Sequence, residues 1–263
     1  MATKAAPILE RIVEARRREF ARFKVDGRAA ALPALLEAAP PTRDFRDALA
    51  GRALALIAEC KQRSPSGGLL QDPYDPIGLA RRYTENGAAA LSILTEPEFF
   101  GGSFDHLRAV RALVNVPILC KDFIVDPVQL LAARAFGADA VLLIAGILDD
   151  GELDQLQYQA HHLGMRSVVE VHNEAEVQRA LHLGAAIIGI NNRDLTRMKT
   201  DRATTARLRP LIPGSRTVIS ESGIESRADI DELARLKVDA ALVGESLLRA
   251  VDLEAKVREL SGR

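Results

Sequence analysis

From Leu54 onward the chain sets short apolar runs against longer stretches of helical pattern, eight times over, and that alternation leaves few folds open to it. The runs are Leu54 to Cys60, Ala88 to Ile93, Val116 to Cys120, Ala138 to Ile144, Arg166 to Val171, Ala186 to Ile190, Arg216 to Ser220 and Val238 to Val243. Their ends recur roughly every 20 to 33 residues, enough for one loop, one helix and one further strand. We expect eight parallel strands closed into a (β/α)8 TIM barrel, a fold that takes about 250 residues. The 263 residues are expected to form one such domain, 1–263.

The segments between the runs support this reading. Gln129 to Ala135 follow Asp126-Pro127, a helix start with proline just inside it, and the helix should end at Gly137. Asn86-Gly87-Ala88, Phe136-Gly137-Ala138 and Leu183-Gly184-Ala185 repeat the same stop, in which glycine ends a helix before the next strand. Residues 1–50 stand outside the eightfold count. Ile8, Leu9, Ile12 and Val13 fall at helical spacing among charges, so we expect an amphipathic helix lying on the barrel, with a second over Ala29 to Ala39.

Charge excludes several partners. Lys and Arg number 35 against 36 Asp and Glu, so no bulk field draws nucleic acid or an anionic membrane, and any bound anion must meet a local site. The longest clean apolar run, Ala140 to Leu148, is about half the length of a membrane span. Lys4, Glu10, Arg11, Glu14 and Arg16 to Glu19 break up the first twenty residues, which argues against a secretory leader. Cys60 and Cys120 each close an apolar run and read as small core residues of a cytoplasmic protein.

Chemistry is expected where the runs end. An ionisable side chain in a strand buried on both faces is costly unless it is paired or used. The runs end in Glu59-Cys60-Lys61, Lys121-Asp122, Glu170, Asn191-Asn192-Arg193, Ser220-Glu221-Ser222 and Gly244-Glu245. Period-two alternation puts Glu59 with Lys61, and Asn191 with Arg193, on one side, facing the mouth where barrel enzymes work. Burial of Lys121 near the second cation Lys61 favours the neutral amine, so that its ammonium can give up a proton near neutral pH or the amine can attack a carbonyl, while Glu59 and Glu221 can hold the lysines charged and Glu170 can act as a base.

For a phosphate, Ser222-Gly223-Ile224 and Gly244-Glu245-Ser246 offer backbone N–H groups and a helix start. Ser64-Pro65-Ser66-Gly67-Gly68 reads as a loop able to fold over a ligand. Phe99, Phe100 and Phe123 bring scarce aromatic rings to the strand exits, where they can stack on a planar ring. His106, His161, His162, His172 and His182 lack zinc-ligand spacing, and His161-His162 reads as an exposed pair; no metal is expected.

Taken in order, these stretches resemble the indole-3-glycerol phosphate synthase family. The resemblance runs from Ile8-Leu9-Glu10-Arg11-Ile12-Val13 through Ile57-Ala58-Glu59-Cys60-Lys61, Leu94-Thr95-Glu96, Phe99-Phe100-Gly101-Gly102 and Leu119-Cys120-Lys121-Asp122-Phe123. It continues through Val169-Glu170-Val171-His172, Ile190-Asn191-Asn192-Arg193-Asp194-Leu195, Ser220-Glu221-Ser222-Gly223 and Val243-Gly244-Glu245. It implies closure of 1-(2-carboxyphenylamino)-1-deoxyribulose 5-phosphate to indole-3-glycerol phosphate, with loss of carbon dioxide and water and no cofactor. Lys121 is implied as the general acid and Glu170 as the group that assists proton removal. Lys61 is implied to meet the anthranilate carboxylate and to share the acid role, oriented by Glu59 and Asn191. Arg193, Glu221 and Ser222 would complete the polar wall, Phe100 and Phe123 would contact the aromatic ring, and Ser64 with backbone near Gly223, Gly244 and Glu245 would hold the phosphate. Gly67-Gly68 departs from the family, which often has a lysine there.

Two rival readings rest on the same residues. One is another sugar-phosphate barrel, an isomerase or an aldolase with Lys121 as Schiff-base nucleophile. The other is a non-catalytic metabolite-binding subunit. A small phosphorylated molecule is the expected partner in each case, with a monomer the expected state and a weak oligomer the alternative.

Overall fold

Each apolar run becomes a strand because it can bury both faces, one toward a lumen and one toward a ring of helices. The strands, in a computed structural model that describes residues 7–194 and 199–263, are β1 (Ala55–Cys60), β2 (Ala90–Leu94), β3 (Ile118–Lys121) and β4 (Ala140–Ile144), followed by β5 (Arg166–Val171), β6 (Ile187–Asn191), β7 (Thr217–Glu221) and β8 (Ala240–Val243). Lys4 and Leu195, both cited above, lie outside the described residues. All eight strands pair in parallel with their sequence neighbours, and β1 also pairs with β8, Ala55 opposite Ala240, so the barrel closes. The expected ends hold to within about two residues at each strand.

Alternation decides which side chains reach the lumen. Ala55, Ile57, Leu119, Ala140, Leu142, Val168, Ile187, Ile219, Ala240 and Leu242 form one apolar cluster. Their neighbours Leu56, Ala58, Cys60, Cys120, Val141, Val169, Ile188 and Val218 belong to a second, packed against the helices. Glu59 therefore continues the inward series of β1, and both cysteines face outward, buried and unbridged. The helix over Pro127–Ala135 starts at Asp126 with a capping box closed by Gln129, and Gly137 turns the chain with φ 99°. His161 and His162 end an exposed helical turn, as the sequence implies.

The N-terminal segment touches both ends of the barrel. Helix α1 (Ile8–Val25) buries Ile12, Ala15, Arg16 and Phe20. Ile8, Leu9 and Ile12 join the lumen cluster beside Phe99, Phe100 and Phe123 at its upper end. The expected second helix is split into a 3-10 turn at Arg28–Ala31 and α2 (Leu32–Ala38), with Pro33 in the first turn of α2. A further short helix, α3 (Phe45–Leu49), was not anticipated; Asp44 caps it, and Phe45 and Leu49 plug the lower end of the lumen. Among the described residues no helix is long and apolar enough to cross a membrane.

Candidate active site

The carboxyl ends of β1, β3, β5 and β7 converge on one ionic cluster. Lys121 Nζ lies 3.3 Å from Glu170 Oε2 and 3.5 Å from Glu221 Oε2. Lys61 Nζ donates to Glu59 Oε1 at 2.7 Å, with both side chains nearly buried. Burial works against the Glu59 anion, but Lys61, then Lys121 and Arg193, hold its carboxyl below the usual range. Lys121 therefore acts on Glu59 as well, which ties the two pairs into one field.

The expected neutral amine is corrected here. Burial does push the Lys121 ammonium down, but Glu170, Glu221 and Glu59 outweigh it and hold the group well above the ordinary lysine value. A lysine kept charged is a proton donor and a poor nucleophile, which weakens the Schiff-base reading. The two carboxylates that share this cation are driven apart. Burial pushes Glu170 up, yet Lys121 and then His172 bring it well below the ordinary glutamate range. Glu221 goes the other way, to about 7, by burial and by the charges of Glu170 and Glu59. Two glutamates around one lysine thus hold different protonation states near neutral pH.

The neighbouring polar wall comes from β6 and the turns after β7 and β8. Asn191 helps to lower the Glu170 carboxyl, and its Oδ1 accepts the Arg193 backbone N–H at 3.0 Å. It thus acts on Glu170 and Arg193, while the Lys61 amine donates to Glu59. Arg193 reaches Ser66 Oγ at 2.7 Å and Glu245 Oε2 at 3.5 Å, and Arg249 joins Glu245 to the Gly67 carbonyl. Ser222 and Gly223 both take positive φ, 69° and 77°, and Asn192 Nδ2 holds the Ser222 carbonyl at 3.0 Å. Such strain in a non-glycine residue persists only where surrounding structure enforces it, as at a ligand turn.

These groups surround a cavity of about 670 Å³, lined by Lys61, Arg193, Ser222, Gly223, Gly244 and Ser246 among others. The helix Glu245–Leu248 opens onto it at Gly244 without a side-chain cap, so its first backbone donors are available to an anion. Glu245 itself turns its carboxylate to Arg193 and Arg249, which keep it below the ordinary range against burial. Ser64 is buried in the first loop, where its Oγ accepts from the Gly67 N–H at 2.9 Å; Gly67 ends the turn of a short antiparallel hairpin in which Gly68 pairs with Ser64. Lys121, Glu170 and Glu221 lie outside the lining of this cavity, next to its Lys61 edge by way of Glu59.

The aromatic edge is formed by Phe100 and Phe123, whose ring centroids stand 5.8 Å apart. Glu96 aims Phe100, because its carboxylate accepts the backbone N–H groups of Glu98, Phe99 and Phe100. Phe99 instead lies under the Arg11 guanidinium, 5.5 Å from its centre. Several groups escaped the sequence reading: Arg16, which pairs with Asp122, and His172 and Glu176 behind Glu170, together with Arg202 and Arg249 at the cavity edge. Only the i,i+4 spacing of His172 and Glu176 left any local trace.

Fold and site together define a (β/α)8-barrel enzyme for a small phosphorylated substrate. A profile of the indole-3-glycerol phosphate synthase family matches residues 9–260, and the chain belongs to that family. It is 48% identical over 264 residues to the indole-3-glycerol phosphate synthase of Roseiflexus sp. (strain RS-1), covering 97% of this chain and 98% of that protein. To the protein of the same name from Dehalococcoides mccartyi (strain CBDB1) it is 47% identical over 257 residues, covering 96% and 99%. Among solved structures, 3-hexulose-6-phosphate synthase from Salmonella typhimurium is similar, with a TM-score of 0.67 over 80% of this chain and 97% of that one; at 15% identity the likeness is one of fold.

Proposed function

We propose that Lys121 and Glu170 are the proton donor and acceptor with which this chain performs its family's reaction, the closure of 1-(2-carboxyphenylamino)-1-deoxyribulose 5-phosphate to indole-3-glycerol phosphate. The observation that carries this is Lys121 Nζ standing between Glu170 and Glu221. The charged ammonium gives its proton to the ketone oxygen as the aromatic carbon bearing the carboxylate forms the new C–C bond. Carbon dioxide then leaves with its bonding electrons returned to the ring. The resulting hydroxyl departs as water on a second proton, while Glu170 accepts the proton that the carbon framework gives up. Acid and base must be held close together in opposite charge states, and the 3.3 Å contact between Lys121 and Glu170 supports that reading.

The remaining roles follow position. Lys61, oriented by Glu59, meets the anthranilate carboxylate and shares the acid work. Phe100 and Phe123 contact the aromatic ring. Asn191, Glu221, Ser222 and Arg193 complete the polar wall, and Ser64 with the backbone at Gly223, Gly244 and Glu245 holds the phosphate. Action as a monomer in the cytoplasm is part of the same proposal; the two buried, unbridged cysteines fit a reducing compartment.

The purified chain, given the substrate alone, is expected to release an indole product visible by ultraviolet absorbance or fluorescence. Lys121→Ala should nearly abolish it while ligand binding persists. Retained turnover in that variant refutes the acid assignment.

A further inference from the structure

His172, at the exit of β5, touches Glu170 yet has no part in the roles assigned above. Glu170 is contacted on both oxygens: Oε2 faces Lys121 Nζ at 3.3 Å, and Oε1 faces His172 Nε2 at 3.3 Å. The second ring nitrogen, Nδ1, stands 3.2 Å from Glu176 Oε2. That same oxygen accepts the His172 backbone N–H at 2.7 Å, and Glu176 Oε1 accepts from Asn173 Nδ2 at 2.7 Å. Glu176 also lies in the first turn of the helix Glu174–His182, where the helix dipole favours an anion.

The imidazole thus has a carboxylate at each nitrogen. A neutral ring carries one N–H and can satisfy one of them only; the other contact would set lone pair against lone pair. Both contacts are favourable only for the imidazolium. The His172 Nε2 to Glu170 Oε1 contact lacks hydrogen-bond alignment, and each of the two atoms is without another hydrogen-bond partner among the described residues.

We propose that His172, braced by Glu176, is a positioning residue for Glu170: the imidazolium fixes the oxygen that Lys121 does not touch and keeps the carboxylate ionised for proton transfer. The role rests on reading Glu170 as the base. The groups that face the ring are Glu170 on its own strand and Glu176 and Asn173 from the following helix, with Lys121 and Glu221 acting through Glu170. Burial pulls the imidazolium down, but Glu170 and Glu176 raise it to about 10.

The test compares His172→Asn, Glu176→Gln and Glu170→Gln by kcat and KM from about pH 3, where the acid limb set by Glu170 begins to show, to about pH 9, with nitrogen NMR of the histidine rings. His172→Asn should lower kcat at neutral pH by about tenfold or more. Its KM should stay within about twofold, and the acid side of its pH profile should move up by about one unit. Glu176→Gln, which keeps the ring, should shift the profile the same way by less. In the unmutated protein the His172 ring should carry both protons at about pH 8. A neutral ring at that pH overturns the role, as does wild-type kcat with an unmoved profile in His172→Asn beside an inactive Glu170→Gln. Full turnover in Glu170→Gln removes the base assignment itself, and this role with it.

Discussion

Arg16 in α1 sets its guanidinium 2.5 Å from the carboxylate of Asp122, 106 positions along the chain, and both side chains are 1% exposed. Thr95 donates to the same carboxylate at 2.6 Å, and the Phe123 backbone N–H donates to its other oxygen at 2.7 Å. Asp122 follows Lys121 directly, so this buried pair pins the N-terminal helix to the strand that delivers the proposed acid. Removing one member of such a pair leaves a charge without compensation, at about 3–5 kcal/mol. Arg16→Ala is expected to lose that much stability in urea. If residues 1–50 and the barrel form one domain, both proteins will unfold in a single transition; an early separate loss of helix shows two units instead.

Lys121→Ala should reduce kcat by about 10²- to 10⁴-fold with KM little changed, because the cation acts on charge that develops during reaction. It also leaves Glu170 and Glu221 facing one another without their shared cation. The variant should therefore lose stability relative to the unmutated protein as pH rises and both carboxyls must ionise. Thermal melts at acid and alkaline pH read this directly; a pH-independent difference counts against the shared cation.

Glu221 supplies a prediction of opposite sign. Its carboxyl is raised by burial to about 7 in the folded protein, against about 4.3 when unfolded, so the native state binds the extra proton between those values. Stability lost through that window stays lost above it. Glu221→Gln, which carries no charge, should raise the melting temperature at about pH 8, with the gain shrinking toward about pH 5. Its kcat should fall. Glu170 runs the other way: its depressed value contributes stability above about pH 4.3 that is lost on further acidification.

Gly189 in β6 has no room for a side chain. A Cβ there would stand 2.5 Å from Glu221 Oε1 and 3.2 Å from Val168 Cγ1. Gly189→Ala should displace the Glu221 carboxylate from Lys121, lowering kcat with a stability loss of about 1–3 kcal/mol. Gly244→Ala, with a Cβ 2.6 Å from Glu59 Oε1, should disturb the Lys61 pair in the same manner. Wild-type kinetics in both would mean that the cluster tolerates looser geometry.

Arg193→Ala should act mainly on binding. Arg193 links the first loop, through Ser66, to Glu245 at the cavity edge, and in the proposed complex it faces the anionic substrate. KM should rise by about tenfold or more, with a smaller change in kcat. The reverse pattern would place Arg193 at the reacting centre.

The sequence by itself determined the eight strands, their parallel order and which strand-end residues share the barrel mouth, because periodicity of two and helix punctuation are local properties of the chain. Glu59 with Lys61, and the ends carrying Lys121, Glu170 and Glu221, were legible for that reason. Only the tertiary structure decided the charge of Lys121: counting nearby cations in sequence suggested a neutral amine, whereas three carboxylates from β1, β5 and β7 keep it protonated. The same holds for Arg16 against Asp122. Coulombic interaction depends on distance through space, and closing the barrel brings together groups from strands far apart along the chain.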